Sequence, residues 1–319
     1  MALTREHFSL NTLQWITVGL GEATGEPGEV GWEFDLSSFL PKQPKILAQV
    51  REAGYGAVML EVLPTQTLQS YASVIADSGL RLSPGYVHIG LPEEFGRDHA
   101  GDREAHFRWF DGIRRRAEET LYMGLDRVFL AADMAPGRPR IDVAAAVGYE
   151  FDGARLDRVA NIIGEAAEVL KAEGVTPALH NHVGTWIETE EEYDYVLDAV
   201  PASLLAAGPD IGHLAWTGVD VVDWVAAHAD RISDLHVKDM DLGIAAAGRA
   251  THTPYFDVMG QRFFLEPGLG DVPIAEALAQ LPEGFAGDVI IEVDKPSMEP
   301  FESAKTSWAW IAENYPEAS

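Results

Sequence analysis

Short apolar or β-branched runs alternate with longer amphipathic stretches along this chain, and that alternation restricts its fold more than any other feature. A strand-like run feeding a helix-like stretch, over and over, is the mark of βα units that build a parallel sheet. Eight strand candidates are read: Phe8–Trp15, Gly56–Val62, Arg81–Gly90, Arg127–Met134, Thr176–His182, Leu205–Ile211, Ile232–Lys238 and Asp288–Val293. Of the helix-like stretches between them, Ala100–Gly124 and Ala154–Gly174 are clearest. The second closes on Lys171-Ala-Glu-Gly174, a basic residue and a glycine where a helix stops. Thr189–Val200 opens with three glutamates, at the end of a helix that favours negative charge. Eight βα repeats close into a barrel, whereas open sheets usually carry fewer parallel strands. With 319 residues, 47% of them hydrophobic, one large core is well supplied. The whole chain, 1–319, is therefore expected to form a single (β/α)₈ TIM-barrel domain.

Two insertions interrupt the repeat. Val18–Leu40, rich in glycine and glutamate, follows the first strand. Gly243–Pro273 follows the seventh and carries His252, Tyr255, Phe256, Phe263 and Phe264. Both fall on the side of the barrel where enzymes keep their substrate loops. The aromatic one reads as a lid or as a subunit contact.

No cysteine is present, so a bound metal would have to rest on histidine, aspartate or glutamate. Twenty-three basic residues against 51 acidic ones leave a net charge of −28, which opposes nucleic acid as a partner. The N-terminal segment lacks the pattern of a secretory signal, and no apolar run approaches the roughly 20 residues of a membrane span. A cytoplasmic protein with no membrane partner is expected.

The chemistry collects at the C-terminal ends of the later strands. The fifth ends His180-Asn-His182-Val-Gly-Thr185, with Glu188 soon after; the sixth gives Asp210-Ile-Gly-His213; the seventh His236-Val-Lys238-Asp239; the eighth Glu292-Val-Asp294. Alternate residues of a strand share a face, so His180 with His182, His236 with Lys238, and Glu292 with Asp294 can each look into the barrel mouth. Read singly, Asp210 is a helix cap, Lys238 a partner for Asp239 or a nearby carboxylate, and Glu292 half of a salt bridge. Read jointly, four successive strands deliver ionisable groups to one end, which suits a Mn²⁺, Mg²⁺ or Zn²⁺ site of mixed imidazole and carboxylate donors. Such an ion binds neighbouring oxygens of a polyol or hydroxyketone and eases removal of the proton beside a carbonyl.

These three later motifs together resemble the xylose isomerase-like barrel superfamily, most strongly over Pro177 to Pro296. That group includes sugar isomerases and epimerases, inosose dehydratases, dehydroshikimate dehydratases and metal-dependent apurinic endonucleases. The resemblance implies metal ligands Glu, Asp, His and Glu from strands five to eight. Asp210, His236 and Glu292 match the last three, while His180 stands where the first glutamate is usual. The resemblance therefore implies His180 as the fourth ligand, or Glu188 reaching back from the loop. It also implies a divalent metal, Mn²⁺ first, with Mg²⁺, Co²⁺ or Zn²⁺ as the others.

The His180-Asn-His182-Val-Gly-Thr185 run resembles the inosose dehydratase branch, and a related branch holds the large subunits of C-glycoside deglycosidases, which work with a small partner subunit. Both imply a lyase acting on a keto-sugar or keto-inositol through α-proton abstraction and β-elimination. Within that reading His182 is the expected base, neutral imidazole being suited to it. Lys238 is expected as enolate stabiliser or leaving-group acid. Glu61, His88, His213 and Trp15 are expected to bind substrate, His213 alternatively to orient a metal ligand, with Gln14 and Tyr86 near them and Trp216 either there or in the core. An isomerase or epimerase of the same barrel shares the first step, and a sugar-binding barrel without catalysis is the remaining alternative. A small second subunit or a homo-oligomer is the expected assembly.

Overall fold

The computed structural model describes residues 3–16, 18–20, 30–32, 38–97, 101–135 and 137–318. Its strands are β1 (Phe8–Leu10), β2 (Val18–Leu20), β3 (Val30–Trp32), β4 (Ala57–Met59), β5 (Arg81–Ser83), β6 (Tyr86–Ile89), β7 (Arg127–Ala132), β8 (Thr176–His180), β9 (Ala206–Ala207), β10 (Leu235–Val237), β11 (Asp239–Met240), β12 (Phe264–Leu265) and β13 (Val289–Ile291). Parallel ladders run β10-β13-β1-β4-β5 and β6-β7-β8-β9. Two seams join them into the barrel.

At the first seam β5 and β6 are one strand broken at Pro84-Gly85. Proline has no N–H to give to a ladder, so the pairing steps across it. Leu60 N–H reaches Ser83 C=O at 3.0 Å and Phe129 N–H reaches Gly85 C=O at 2.8 Å. A side chain at Gly85 would put its Cβ 2.3 Å from the Leu60 carbonyl oxygen, so only glycine fits. The predicted third strand, Arg81–Gly90, is thus real but kinked. At the second seam parallel bridges Ala207–Ile232 and Asp210–His236 link β9 to β10. The (β/α)₈ expectation holds, with most strands shorter than predicted. Phe8–Trp15, for example, becomes β1 followed by a 3₁₀ turn over Thr12–Trp15.

Side-chain caps start the helices where the sequence suggests. Asp152 accepts from the Ala154 and Arg155 N–H groups to open the helix Gly153–Ala172. Thr189 and Glu192 form a capping box for Glu190–Ala199. The expected helix Ala100–Gly124 is two, Arg103–Trp109 and Asp111–Tyr122, joined at Phe110. Inside the barrel, Met59, Phe129, Ala178 and Ile290 make a small buried layer. The Phe129 ring lies 4.5 Å from that of His236 and 5.5 Å from that of His180, so the polar mouth stands on an apolar floor.

Of the first insertion, β2 and β3 pair as an antiparallel hairpin, while 21–29 and 33–37 lie outside the described residues. The second insertion, read as a lid or a subunit contact, packs several of its aromatics inside the chain. It folds as helices Leu242–Thr251 and Tyr255–Met259, with β12 pairing antiparallel to β11. Tyr255, Phe263 and Phe264 turn inward onto the buried Trp216, with ring centroids 5.0, 4.6 and 5.8 Å away. Rings that would be exposed on a mobile loop instead extend the core, and Trp216 belongs to that core. Among the described residues no helix is long and apolar enough to cross a membrane.

Candidate metal centre

His180 closes β8, and its buried Nδ1 lies 3.1 Å from the Gly208 carbonyl. A carbonyl can only accept, so Nδ1 carries the proton and Nε2 keeps its lone pair. Burial holds this imidazole well below its ordinary pKa, with the charges of His236 and Lys238 acting in the same direction. Asp210 follows β9 and does two things. Its Oδ1 caps the helix Ile211–Thr217 by accepting from the His213 N–H at 3.0 Å, while Oδ2 meets the Lys238 ammonium at 2.7 Å. Gly212 lets these elements approach, because a Cβ there would sit 2.4 Å from that of Lys238.

His180, Asp210 and His236 each offer a donor atom, and the three atoms lie within 4.8 Å of one another. All three residues are buried. Two imidazoles and a carboxylate suit a divalent ion, and the buried Nε2 of His236 has no hydrogen-bond partner. The donors therefore fit the expected metal. Glu292 lies beside this group rather than within it, with Oε2 on His236 Nδ1 and Oε1 3.1 Å from Lys238 Nζ. Burial opposes ionisation of Glu292, but Lys238 and His236 outweigh it and hold the carboxyl well below its usual range. The Tyr86 hydroxyl touches His180 Nε2 at 3.2 Å, His236 Nδ1 at 3.1 Å and Glu292 Oε2 at 3.5 Å. Burial and the nearby carboxylates push its pKa far up, so it stays protonated.

Lys238 is wholly buried among Asp210, Glu292 and Asp294, the last at 3.3 Å. Burial disfavours its charge, yet the three carboxylates hold the ammonium well above the lysine range. Of the two partners the sequence allows Lys238, Asp239 or a nearby carboxylate, the second is found; Asp239 accepts from the N–H groups of Met240, Gly268, Gly270 and Val272.

Above the donors opens a cavity of about 360 Å³, whose wall includes Asn11, Glu61, Tyr86, His88, Asp133, His180, His182, Thr185 and Glu292. His182 Nδ1 lies 2.7 Å from the Val183 carbonyl, so its Nε2 is the basic atom. Burial, then Lys238, lowers its pKa to about 4.

A match to the xylose isomerase-like TIM barrel spans residues 47–314. The chain belongs to that family. A rhizopine catabolism protein, MocC, of Rhizobium meliloti is 24% identical over 90% of this chain and 84% of its own length. An inosose dehydratase of Geobacillus kaustophilus is 22% identical over 86% of each chain. Further inosose dehydratases align over 48% and 56% of their length. A solved member of the fold, the IOLI protein with a bound zinc atom, superposes with a TM-score of 0.62 at 12% identity, covering 97% of this chain and 99% of that one.

Seen against the family pattern, the fifth-strand glutamate is replaced by His180, which sits among the donors. Glu188 does not reach them, because its two oxygens accept from the Gly148 and Gly184 N–H groups at 2.9 and 2.8 Å. Glu61, His88 and Tyr86 line the cavity as expected. Trp15 and Gln14 do not; their side chains donate to Gln49 Oε1 at 3.0 Å and to the Pro300 carbonyl at 2.9 Å. His213 and Lys238 are also absent from the wall, His213 being buried beneath His182 with ring centroids 3.8 Å apart. Lys238 therefore reaches substrate only through the carboxylates it holds. Asp133 was missed, although it closes the fourth strand at the same end as the other groups.

Proposed function

We propose that this chain is a divalent-metal-dependent lyase acting on a keto-sugar or keto-inositol. It removes the proton beside the ketone and expels a β-leaving group. The observation that carries the reading is the convergence of His180, Asp210 and His236 next to a cavity that also presents His182. The inosose dehydratase relatives support the substrate class, and a cavity of about 360 Å³ lies near the small end of ligand sites, as a single ring requires.

His180, Asp210 and His236 would hold the ion, with Glu292 alongside; their imidazoles favour Mn²⁺, Co²⁺ or Zn²⁺ over Mg²⁺. When bound, it supplies Lewis-acid polarisation of the ketone. His182 takes the α-proton on Nε2, its ring held by the bond from Nδ1 to Val183. Asp133, whose burial raises its carboxyl to about 6, returns a proton to the leaving group. Glu61, His88 and Thr185 receive the ring hydroxyls from the cavity wall. Lys238 holds Asp210 and Glu292 in place and keeps Glu292 charged.

The test is proton NMR in D₂O with metal-loaded protein and a keto-inositol, then a 3-keto C-glycoside. Loss of the α-proton signal together with a dehydrated or aglycone-free product is the expected result. Exchange that yields only the epimer moves the chain to the epimerases. Absence of exchange with every ketone offered overturns the enzymatic reading.

A further inference from the structure

Beside the proposed metal centre lies a second group of donors. His182, His213 and Asp294 each offer an atom, and these three atoms also lie within 4.8 Å of one another. They come from three elements: the loop after β8, the helix after β9 and the segment after β13.

Three observations set this group apart from an ordinary polar cluster. First, His213 is fully buried, yet neither of its ring nitrogens has a hydrogen-bond partner. A buried imidazole left this way loses its water contacts without a hydrogen bond in return, its nearest carboxylate, Asp210 Oδ2, standing 3.8 Å from Nε2. Second, Asp294 Oδ1 receives no hydrogen bond although it is buried and lies 3.3 Å from the Lys238 ammonium. Third, His182 spends Nδ1 on Val183 and has Nε2 left over. Each residue brings an unspent lone pair to one place, which is the arrangement a borderline-soft cation completes. Local composition agrees. Asp210, Glu292 and Asp294, with Glu61 and Asp133 on the cavity wall, gather five carboxyl groups near the single ammonium of Lys238.

We propose a second divalent-cation site at His182, His213 and Asp294, adjacent to the first. Its occupancy has a consequence that rests on the function proposed above. An ion on His182 Nε2 occupies the lone pair that takes the α-proton, so filling this site inhibits. The first ion enables the reaction and excess ion stops it.

The experiment uses the full chain, stripped with chelator and titrated with Zn²⁺ by calorimetry, with bound metal counted after desalting. Co²⁺ absorption provides a separate spectroscopic record of each site. Wild type is expected to bind two ions. His213→Gln and Asp294→Asn are each expected to bind one, and His180→Gln is expected to lose the other while retaining this one. Should His213→Gln fail to fold, Asp294→Asn carries the test. A wild type that binds one ion, unaffected by either substitution, overturns the site. So does a stoichiometry of two that survives both substitutions. Solvent exchange of the substrate's α-proton is then followed beyond one equivalent of Zn²⁺, where at least tenfold slowing is expected in wild type and none in His213→Gln. Two bound ions without slowing leave the site standing and remove His182 as the base.

Discussion

The two ends of the barrel carry comparable charged groups and use them differently. At the N-terminal floor, Arg81 meets Asp288 at 2.6 Å, while Arg127 meets Asp234 at 3.2 Å and Asp288 at 3.6 Å. Asp234 also accepts from the Asp288 N–H at 2.8 Å. Two guanidiniums face two carboxylates, so the charges balance, although Arg127 Nε and Asp234 Oδ2 are buried without a hydrogen bond. At the mouth, three carboxylates meet one ammonium, two more carboxyl groups line the cavity, and ring nitrogens of His213 and His236 are buried without hydrogen-bond partners. Charge is balanced at the floor and not at the mouth, and buried carboxylates in excess of their cations are what a bound metal ion would complete.

The hardest blow to that contrast falls on Asp210. Asp210→Asn removes one carboxylate from the donors and one partner from Lys238, while its Oδ1 can still cap the helix. Turnover is expected to fall at least a thousandfold and ion affinity with it, with the thermal midpoint moving only a few degrees. A variant with full turnover would mean that the mouth holds no working ion. His182→Ala comes next. Loss of a general base costs about 10²–10⁴-fold, and α-proton exchange is expected to drop by that factor while the ion at His180, Asp210 and His236 stays. Retained exchange would pass the base role to another group on the cavity wall.

The floor gives a prediction of the opposite kind. Burial holds Asp234 at about 7 against an ordinary 3.8, with Arg127 opposing the rise. Between those values the folded chain keeps a proton that the unfolded chain has released, so stability falls as pH rises through this window and the loss is complete above it. Asp234→Asn keeps an oxygen for the Asp288 N–H and removes the ionisation. The variant is expected to exceed wild type by up to about 4 kcal/mol at pH 8, with the gap closing near pH 4. Urea melts at the two pH values read it directly, and ion binding should not change. A variant less stable at both would show that the Arg127 pairing outweighs desolvation, and the floor would then be a net source of stability.

Periodicity made the barrel legible, because eight βα units leave few other ways to bury their apolar faces. It could not show the break at Pro84-Gly85, which depends on Leu60 of the neighbouring strand. The donors were legible too, since strand ends place their residues at one end of the barrel whatever the side chains do. What lay beyond reach was depth. Lys238 and Glu292 look equivalent in sequence, yet only Glu292 reaches the cavity wall. His213 reads equally as a substrate contact or as a residue that orients a ligand, and only the close approach allowed by Gly212, which draws its helix down beside Lys238, places it off the cavity wall. The aromatic insertion was underspecified for a related reason: aromatic residues mark a packing surface, and Tyr255, Phe263 and Phe264 find theirs on Trp216 of the same chain.

The smallest expected effect concerns Trp15, which separates lying near the mouth from lining it. An aromatic face beside a sugar pocket ordinarily stacks on the ring, and its removal raises KM tenfold or more. Here the indole N–H is spent on Gln49 Oε1, the ring packs against the apolar core, and the cavity wall passes through Thr12, Leu13 and Ile16 instead. Trp15→Leu is therefore expected to lower stability by about 1–3 kcal/mol, as loss of a half-buried aromatic does, and to leave KM within twofold. Glu61→Gln, on the wall itself, should raise KM severalfold with stability unchanged. If Trp15→Leu raised KM more than Glu61→Gln did, the ring would have to swing toward the cavity when substrate binds. The wall drawn here would then describe only the ligand-free state.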